Sequence, residues 1–481
     1  MHLARTILVP LIALLALAGC ATRPINPPIT TVDPDAGYRI ETRQVHFKHP
    51  ETLVILAFSG GGTRAAAFSY GVLEFLRNFE IAMADGRRSR LLDDVEVITG
   101  VSGGSFTALA YALYGDRLFT EYEQRFLKRN VQGELIGRAV NPFYWPKLAS
   151  TGWGRSELAA EFYDEILFNG ATFADLNRGA GPLVLASATD VATGARVVFD
   201  QSVFDGLCSN LDAVRLSRAA AASSAVPGAL SPITLNNYGG TCDYKPPARL
   251  ELITEGGVST RASARAKRQI TELLALADGT RRPYLHLVDG GVADNVGMRG
   301  VLTMLEEMEA LHSVDVPTRL DSARRIVVFV VNSKASPRTH WEESESPPGV
   351  VSLVVQSSGI PIEHYSYESI ELLEDREARW KTMRHLRESA AMADNKDPAI
   401  TAELKTPDVE IYTIDVSFDA LEDKSESRYL NELPTSFALP AESVDRLRAA
   451  AGKIIMGSPE FQRLLREAGG TLVPREVAAG H

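Results

Sequence analysis

Cysteine is scarce in this chain of 481 residues, with only Cys20, Cys208 and Cys242, and long hydrophobic runs are scarcer still. Past residue 19 the longest apolar stretches, such as Ile326 to Val331, are strand-sized, which argues against a membrane-spanning helix there. Three cysteines without a recurring short spacing exclude a cysteine-rich metal site, and neither metal nor cofactor is expected. Basic residues are outnumbered, 50 Lys and Arg against 61 Asp and Glu, for a formal charge of −11. Charge therefore draws the body to neither nucleic acid nor anionic lipid, and no nucleic-acid partner is expected. What is present is ordinary for a globular chain: 45% hydrophobic and 23% charged residues, enough to bury a large core.

The first nineteen residues stand apart. Arg5 supplies a positive start and Ile7 to Leu17 an apolar run broken only by Pro10, too short to span a bilayer and suited to the core of a signal peptide. The run ends in Leu17-Ala18-Gly19-Cys20, which resembles the bacterial lipobox, so Cys20 is expected to become the acylated first residue of the mature chain. Several acyl chains on one cysteine give stable anchoring, where a single chain is marginal. Ala21 in the following position leans toward the outer membrane, and the expected location is the bacterial cell envelope on its periplasmic side. Export into an oxidising compartment leaves Cys208 and Cys242 as an even pair, expected as a disulfide, with two free thiols as the alternative.

Residues 21 to 37 carry Pro24, Pro27, Pro28 and Pro34 without periodicity and suggest a tether. Beyond it, short β-branched runs (Leu53 to Phe58, Val95 to Thr99, Leu183 to Ala188, Leu285 to Val288, Ile326 to Val331) alternate with helical patterns, which argues for a largely parallel sheet covered by helices. After Lys334 a Ser/Glu/Pro-rich loop leads to a charged helix over about 361–392, a strand over 409–418 and a closing helical pair. The expected organisation is a signal peptide at 1–19, a lipidated tether at 20–49, a main α/β domain at 50–335 and an α+β extension of that core at 336–481.

Three glycine settings carry the chemistry. Gly100-Val101-Ser102-Gly103-Gly104 follows a strand and opens a helix, the setting of a nucleophile elbow, in which Gly100 and Gly104 permit a sharp turn that presents Ser102 at a helix N-terminus. Ser59-Gly60-Gly61-Gly62-Thr63-Arg64 follows the first strand. It lacks the Lys-Ser/Thr ending of a phosphate-binding P-loop, and suits an oxyanion hole in which Gly60, Gly61 and Gly62 offer N–H donors and Arg64 steadies the loop. Asp289-Gly290-Gly291 ends a strand where open α/β sheets build sites, though alone it is equally a turn.

In this order the three motifs resemble the patatin-like phospholipase family, over about residues 50 to 335. The resemblance implies a three-layer α/β/α fold with a mostly parallel central sheet. It also implies a Ser102–Asp289 dyad without histidine, acting on phospholipid or other acyl-ester lipids as a phospholipase A or lysophospholipase without a catalytic metal. A thioesterase or protease using the same dyad, or a non-catalytic lipoprotein scaffold, are the alternatives. His286 falls on the opposite strand face from Asp289, and His340, His364 and His385 lie in the extension without glycine context, so none is expected as a base. The stretch 259–277 places Arg261, Arg265 and Arg268 on one helical face and Ile270, Leu273, Leu274 and Ala277 on the other. It is expected as an amphipathic surface helix, with a lipid-facing lid as the sharper alternative.

Overall fold

In the computed structural model, residues 22–47, 51–83, 88–150, 152–255, 260–334, 341–343, 345–389 and 404–474 are described, with single positions at 392, 397 and 400. The signal region and Cys20 lie outside the described residues. No helix among the described residues is long and apolar enough to cross a membrane.

The strands are β1 (Thr52–Phe58), β2 (Phe79–Met83), β3 (Arg88–Arg90), β4 (Val95–Val101), β5 (Leu183–Asp190), β6 (Arg196–Val198), β7 (Ile233–Asn236), β8 (Tyr284–Val288), β9 (Arg325–Asn332), β10 (Glu410–Ser417) and β11 (Gly470–Pro474). The main sheet runs β10-β9-β1-β4-β5-β8-β7, with β6 paired to β5. From β10 to β5 every pairing is parallel. Its central strands are buried on both faces, which is why β1, β4 and β9 are almost unbroken in apolar residues. Helices flank this largely parallel sheet, as the alternation of patterns called for, in the α/β/α arrangement the resemblance implied. Helix Gly62–Asn78 packs on helices Gly103–Tyr114 and Ala441–Gly457, while helix Met298–Ser313 packs against the long helix Val350–Glu388. A small antiparallel sheet, β11-β2-β3, brings the C-terminal strand beside residues 79–90.

One strand departs from the parallel pattern. β8 runs antiparallel to β5 and meets it only at Thr189 and Asp190. Asp289 therefore reaches the C-terminal edge of the sheet from outside, and not as the continuation of a parallel strand as its motif suggested.

The segment expected as a tether is laid on the domain. The Arg23 guanidinium donates to the Thr234 carbonyl at 3.0 Å and to the Asn236 side chain. Buried Asn26 donates to Ser209 Oγ and to the Asn236 carbonyl, both at 2.8 Å. Farther along, Tyr38 is fully buried and its hydroxyl accepts the Val184 N–H at 2.6 Å. Arg39 pairs with buried Asp205 at 2.9 Å. The prolines ruled out a helix here; they did not rule out docking, because the partners stand far away in sequence.

Cys208 and Cys242 are joined as a disulfide, with Cα atoms 5.5 Å apart. Helix Thr260–Leu276 turns Ala266, Ile270, Leu273 and Leu276 inward, the first three against Leu250, Ile253, Ala310 and Leu311. Arg265 pairs with Glu306, and Arg268 with Glu272 at 2.8 Å. Its apolar face is thus largely covered by the protein itself; the Arg261 side chain lies outside the described residues.

The C-terminal extension is woven into the core. β10 pairs with β9 along its whole length, and a Cβ on Gly71 would lie 2.5 Å from the Arg448 carbonyl oxygen, so the helices Gly62–Asn78 and Ala441–Gly457 touch backbone to backbone. A chain ended at residue 335 should lose cooperative folding: β9 would become an unprotected hydrophobic edge. Solubility and denaturant unfolding check this, and a soluble, cooperatively unfolding 22–335 fragment would contradict it.

Candidate active site

Ser102 follows β4 directly and adopts φ 46° and ψ −120° before helix Gly103–Tyr114 begins. A non-glycine residue there stores on the order of 1–3 kcal/mol of strain, held by the surrounding contacts. Those contacts need bare backbone. A Cβ on Gly103 would lie 2.0 Å from the Gly62 carbonyl oxygen, and one on Gly104 2.6 Å and 2.7 Å from the carbonyl oxygens of Ser59 and Phe58. At Gly100 the obstruction would be Ser105 Cα, 2.8 Å away. The elbow and the loop after β1 are thereby pressed together, and the Gly60 Cβ position is 3.3 Å from Ser102 Cβ.

Asp289 is brought to the same point. Its carboxylate accepts the Gly291 N–H at 2.7 Å and has the Ser102 side chain as a neighbour that favours its charged form. Its own N–H donates to the Ala225 carbonyl, and the Gly290 N–H to that of Ser223, both at 3.0 Å. Ser223 Oγ in turn accepts the Ser102 N–H at 2.9 Å. The turn after helix Leu216–Ser223 therefore holds both partners. Sequence reading missed it, although the run Ala219 to Ala225 was a signal, since only small side chains allow such an approach. Thr189 Oγ1 completes the clamp by donating to the Asp289 carbonyl at 2.9 Å.

Of the three expected N–H donors in the glycine loop, Gly60 is corrected. Its N–H donates to the Asn295 carbonyl at 2.8 Å, so it is not free to meet a developing anion. Gly61 (φ 141°) and Gly62 (φ 59°) hold conformations that side chains disfavour. Their N–H groups have no partner among the described residues. Arg64 lies buried beneath the loop, donating to the carbonyls of Ser333 (2.8 Å) and Leu433 (2.7 Å) and to Thr435 Oγ1 (3.1 Å). Ser333, which follows β9, also donates from Oγ to the Gly60 carbonyl at 2.9 Å. Asn295, Ser333 and Thr435 had no motif to mark them.

Burial pushes the Asp289 carboxyl up to about 6, against the smaller opposing pulls of the Gly291 N–H and the Ser102 hydroxyl. No histidine side chain among the described residues bonds to Ser102 or Asp289. His286 is exposed and shares a 3.0 Å hydrogen bond with Thr234 on the neighbouring strand. It faces away from the Ser102–Asp289 pair, on the outer face of β8. His385 is exposed too, while His340 and the His364 side chain lie outside the described residues. No cluster of metal-ligating side chains occurs among the described residues.

A family model described as patatin-like phospholipase matches residues 56–302. Among solved structures, human GIVD cytosolic phospholipase A2 is similar at 14% identity and TM-score 0.35, over 89% of this chain and 65% of that one. Its complex with methyl gamma-linolenyl fluorophosphonate matches at 14% and 0.39, over 87% and 60%. The complex that also holds terbium chloride matches at 13% and 0.38, over 93% and 66%. The chain thus spans just under two thirds of the length of these structures. No curated protein matches the sequence.

A carboxyl that ionises near 6 in the fold, against about 3.9 in an unfolded chain, keeps its proton in the fold where the unfolded chain has released it. Stability then falls as pH rises through that window, and the full deficit of about 3 kcal/mol stands at neutral pH. Asp289→Asn is expected to raise stability at pH 8 by up to that amount, and by almost nothing near pH 4. Denaturant unfolding at both pH values checks it, and a pH-independent difference would refute it.

Proposed function

The chain belongs to the patatin-like phospholipase family, and from that membership and the geometry around Ser102 we propose that it hydrolyses acyl esters of lipids with a Ser102–Asp289 dyad. The observation that carries the reading is a strained elbow serine and a buried aspartate held side by side on the Ser223–Ala225 turn. In the proposed reaction Asp289 takes the hydroxyl proton as Ser102 Oγ attacks the ester carbonyl carbon. The oxyanion meets the N–H groups of Gly61 and Gly62, each donor worth about 3–4 kcal/mol in such a site. Asp289 then passes the proton to the departing alcohol, leaving an acyl-serine. Water, deprotonated by the same carboxylate, releases the fatty acid and restores the hydroxyl. A carboxylate poised near 6 is a competent base at neutral pH, which supports a mechanism without histidine. Arg64 serves by fixing the loop, and Gly60 by spacing it against Asn295.

Lipidation at Cys20 belongs to the same proposal, as does residence in the bacterial envelope. Support comes from the Leu17-Ala18-Gly19-Cys20 string and from the docked segment that follows. With Arg23 already bonded to the domain, an acylated Cys20 would hold the body close to the membrane.

Phospholipid or short-chain ester turnover tests the dyad. Ser102→Ala should abolish activity and fluorophosphonate labelling, and Asp289→Asn should lower kcat by at least about a thousandfold, the double variant losing little more. For the wild type kcat/KM should fall about tenfold per pH unit below about 6, where Asp289 carries its proton. A fully active Asp289→Asn enzyme would sink the assignment. For the anchor, intact mass of the mature protein should show acyl groups on an N-terminal Cys20, and Cys20→Ser should release the protein from membranes or block its processing; a mature chain with an unmodified Cys20 would rule it out.

A further inference from the structure

The surface carries one run of exposed apolar side chains that the proposed chemistry does not use. On helix Val131–Val140 the residues Ile136 and Val140 stand one turn apart and both face solvent, and Phe143 and Trp145 continue the run, with Phe143 90% exposed. Single exposed apolar residues need no explanation; four within ten positions do.

Both ends of this segment are tied to the rim of the active site. At its start the Gln132 N–H donates to the Phe437 carbonyl and Gln132 Oε1 accepts the Phe437 N–H, both at 3.1 Å. The adjoining Ser436 carbonyl accepts the Thr63 N–H at 2.9 Å, next to the glycine loop. At its end the Ser156 N–H donates to Ser231 Oγ at 3.1 Å and Arg155 to the Gly228 carbonyl at 3.3 Å. That loop leads back to Ala225, which holds the Asp289 backbone. Past the dyad itself, Val292 is also exposed.

The charges of the segment are neutralised locally: Glu134 by Arg129 at 2.7 Å, Arg138 by Glu165 at 2.5 Å and Lys147 by Glu161 at 3.0 Å. An acidic chain thus presents here a face without net negative charge. The described chain also begins beside it, since the Arg23 nitrogen lies 3.9 Å from the Cβ position of Gly152.

We propose that Ile136, Val140, Phe143 and Trp145 form a membrane-contact surface that seats in the interfacial layer of a phospholipid bilayer and turns the sheet edge carrying Ser102 toward it. The choice of lipid as ligand rests on the hydrolase reading above; the placement rests on the exposed run, its ties to the rim and its charge pairing. Aromatic rings suit that depth, where one end of a side chain is apolar and the other wet. Because the anchoring is apolar, neutral lipid should suffice and salt should matter little.

The decisive measurement uses the full mature chain carrying Ser102→Ala, which cannot consume the membrane, with phosphatidylcholine vesicles. Of the four tryptophans Trp153 and Trp380 are buried and Trp341 is half-buried, so the largest change in emission should come from the exposed Trp145. Its fluorescence should shift to the blue and be quenched by brominated acyl chains, and Trp145→Phe should remove the quenched component. If Trp145 on vesicles stays open to aqueous iodide and blind to brominated lipid, the surface is not in the membrane. Shielding of Trp145 that depends on protein concentration without vesicles would equally overturn the proposal, in favour of self-association. In the active enzyme, Phe143→Ser with Trp145→Ser should lower kcat/KM on vesicle phospholipid by about tenfold per ring, leaving a soluble short-chain ester within about twofold. Equal losses on both substrates would count against a surface role. Quenching needs no turnover, so an enzyme inactive on every ester would defeat the hydrolase reading without deciding this one.

Discussion

Two backbone turns at the sheet's C-terminal edge must touch with nothing between them. Gly103 and Gly104 press against the carbonyls of Gly62, Ser59 and Phe58 at distances no Cβ tolerates. The contact fixes the elbow relative to the glycine loop and lends support to a φ that serine would not choose. Even an alanine at either glycine would have to separate the turns and shift the Gly61 and Gly62 N–H groups relative to Ser102. The rest of the site is a set of braces on that contact: Ser333 and Arg64 from below the loop, Asn295 from its side, and the Ser223–Ala225 turn under both Ser102 and Asp289.

Burial of Asp289 beside Ser102 sets its proton affinity and its cost to stability together. Excluding water strengthens every dipole aimed at the reacting atoms, but it also raises the energy of an ionised Asp289. The fold keeps this carboxyl buried with one backbone hydrogen bond, the Ser102 side chain as a neighbour and no cation beside it among the described residues. A neighbouring arginine would have stabilised the charge and weakened the base.

The sheet was legible in the sequence because buried parallel strands advertise themselves as apolar runs between glycine turns, and the boundaries of β1, β4, β9 and β10 fall within two residues of those runs. The elbow, the glycine loop and Asp289 were legible for a related reason: each sets glycine where a side chain would collide. What stayed hidden was whatever depends on distant partners. β6 and β7 are short and lack strong patterns, the reversed direction of β8 follows from its neighbours, and the proline-rich start gave no hint of Arg23, Asn26 or Tyr38 finding sites far along the chain. The Gly60 N–H was misread because a glycine run offers several donors, and only the position of Asn295 reveals which one is spent.

The strand order also bears on how the protein comes to exist. β1 leaves the ribosome before any other strand of the main sheet, yet it lies between β4 and β9, and β9 waits in turn for β10 near the chain's end. A nascent chain therefore carries an apolar strand, ending at Phe58, whose second partner does not begin until Arg325. Parallel pairing across such separations is slow, and the unpaired edge is adhesive meanwhile. Holding the chain unfolded until β10 is available suits this topology better than letting each strand fold as it is made.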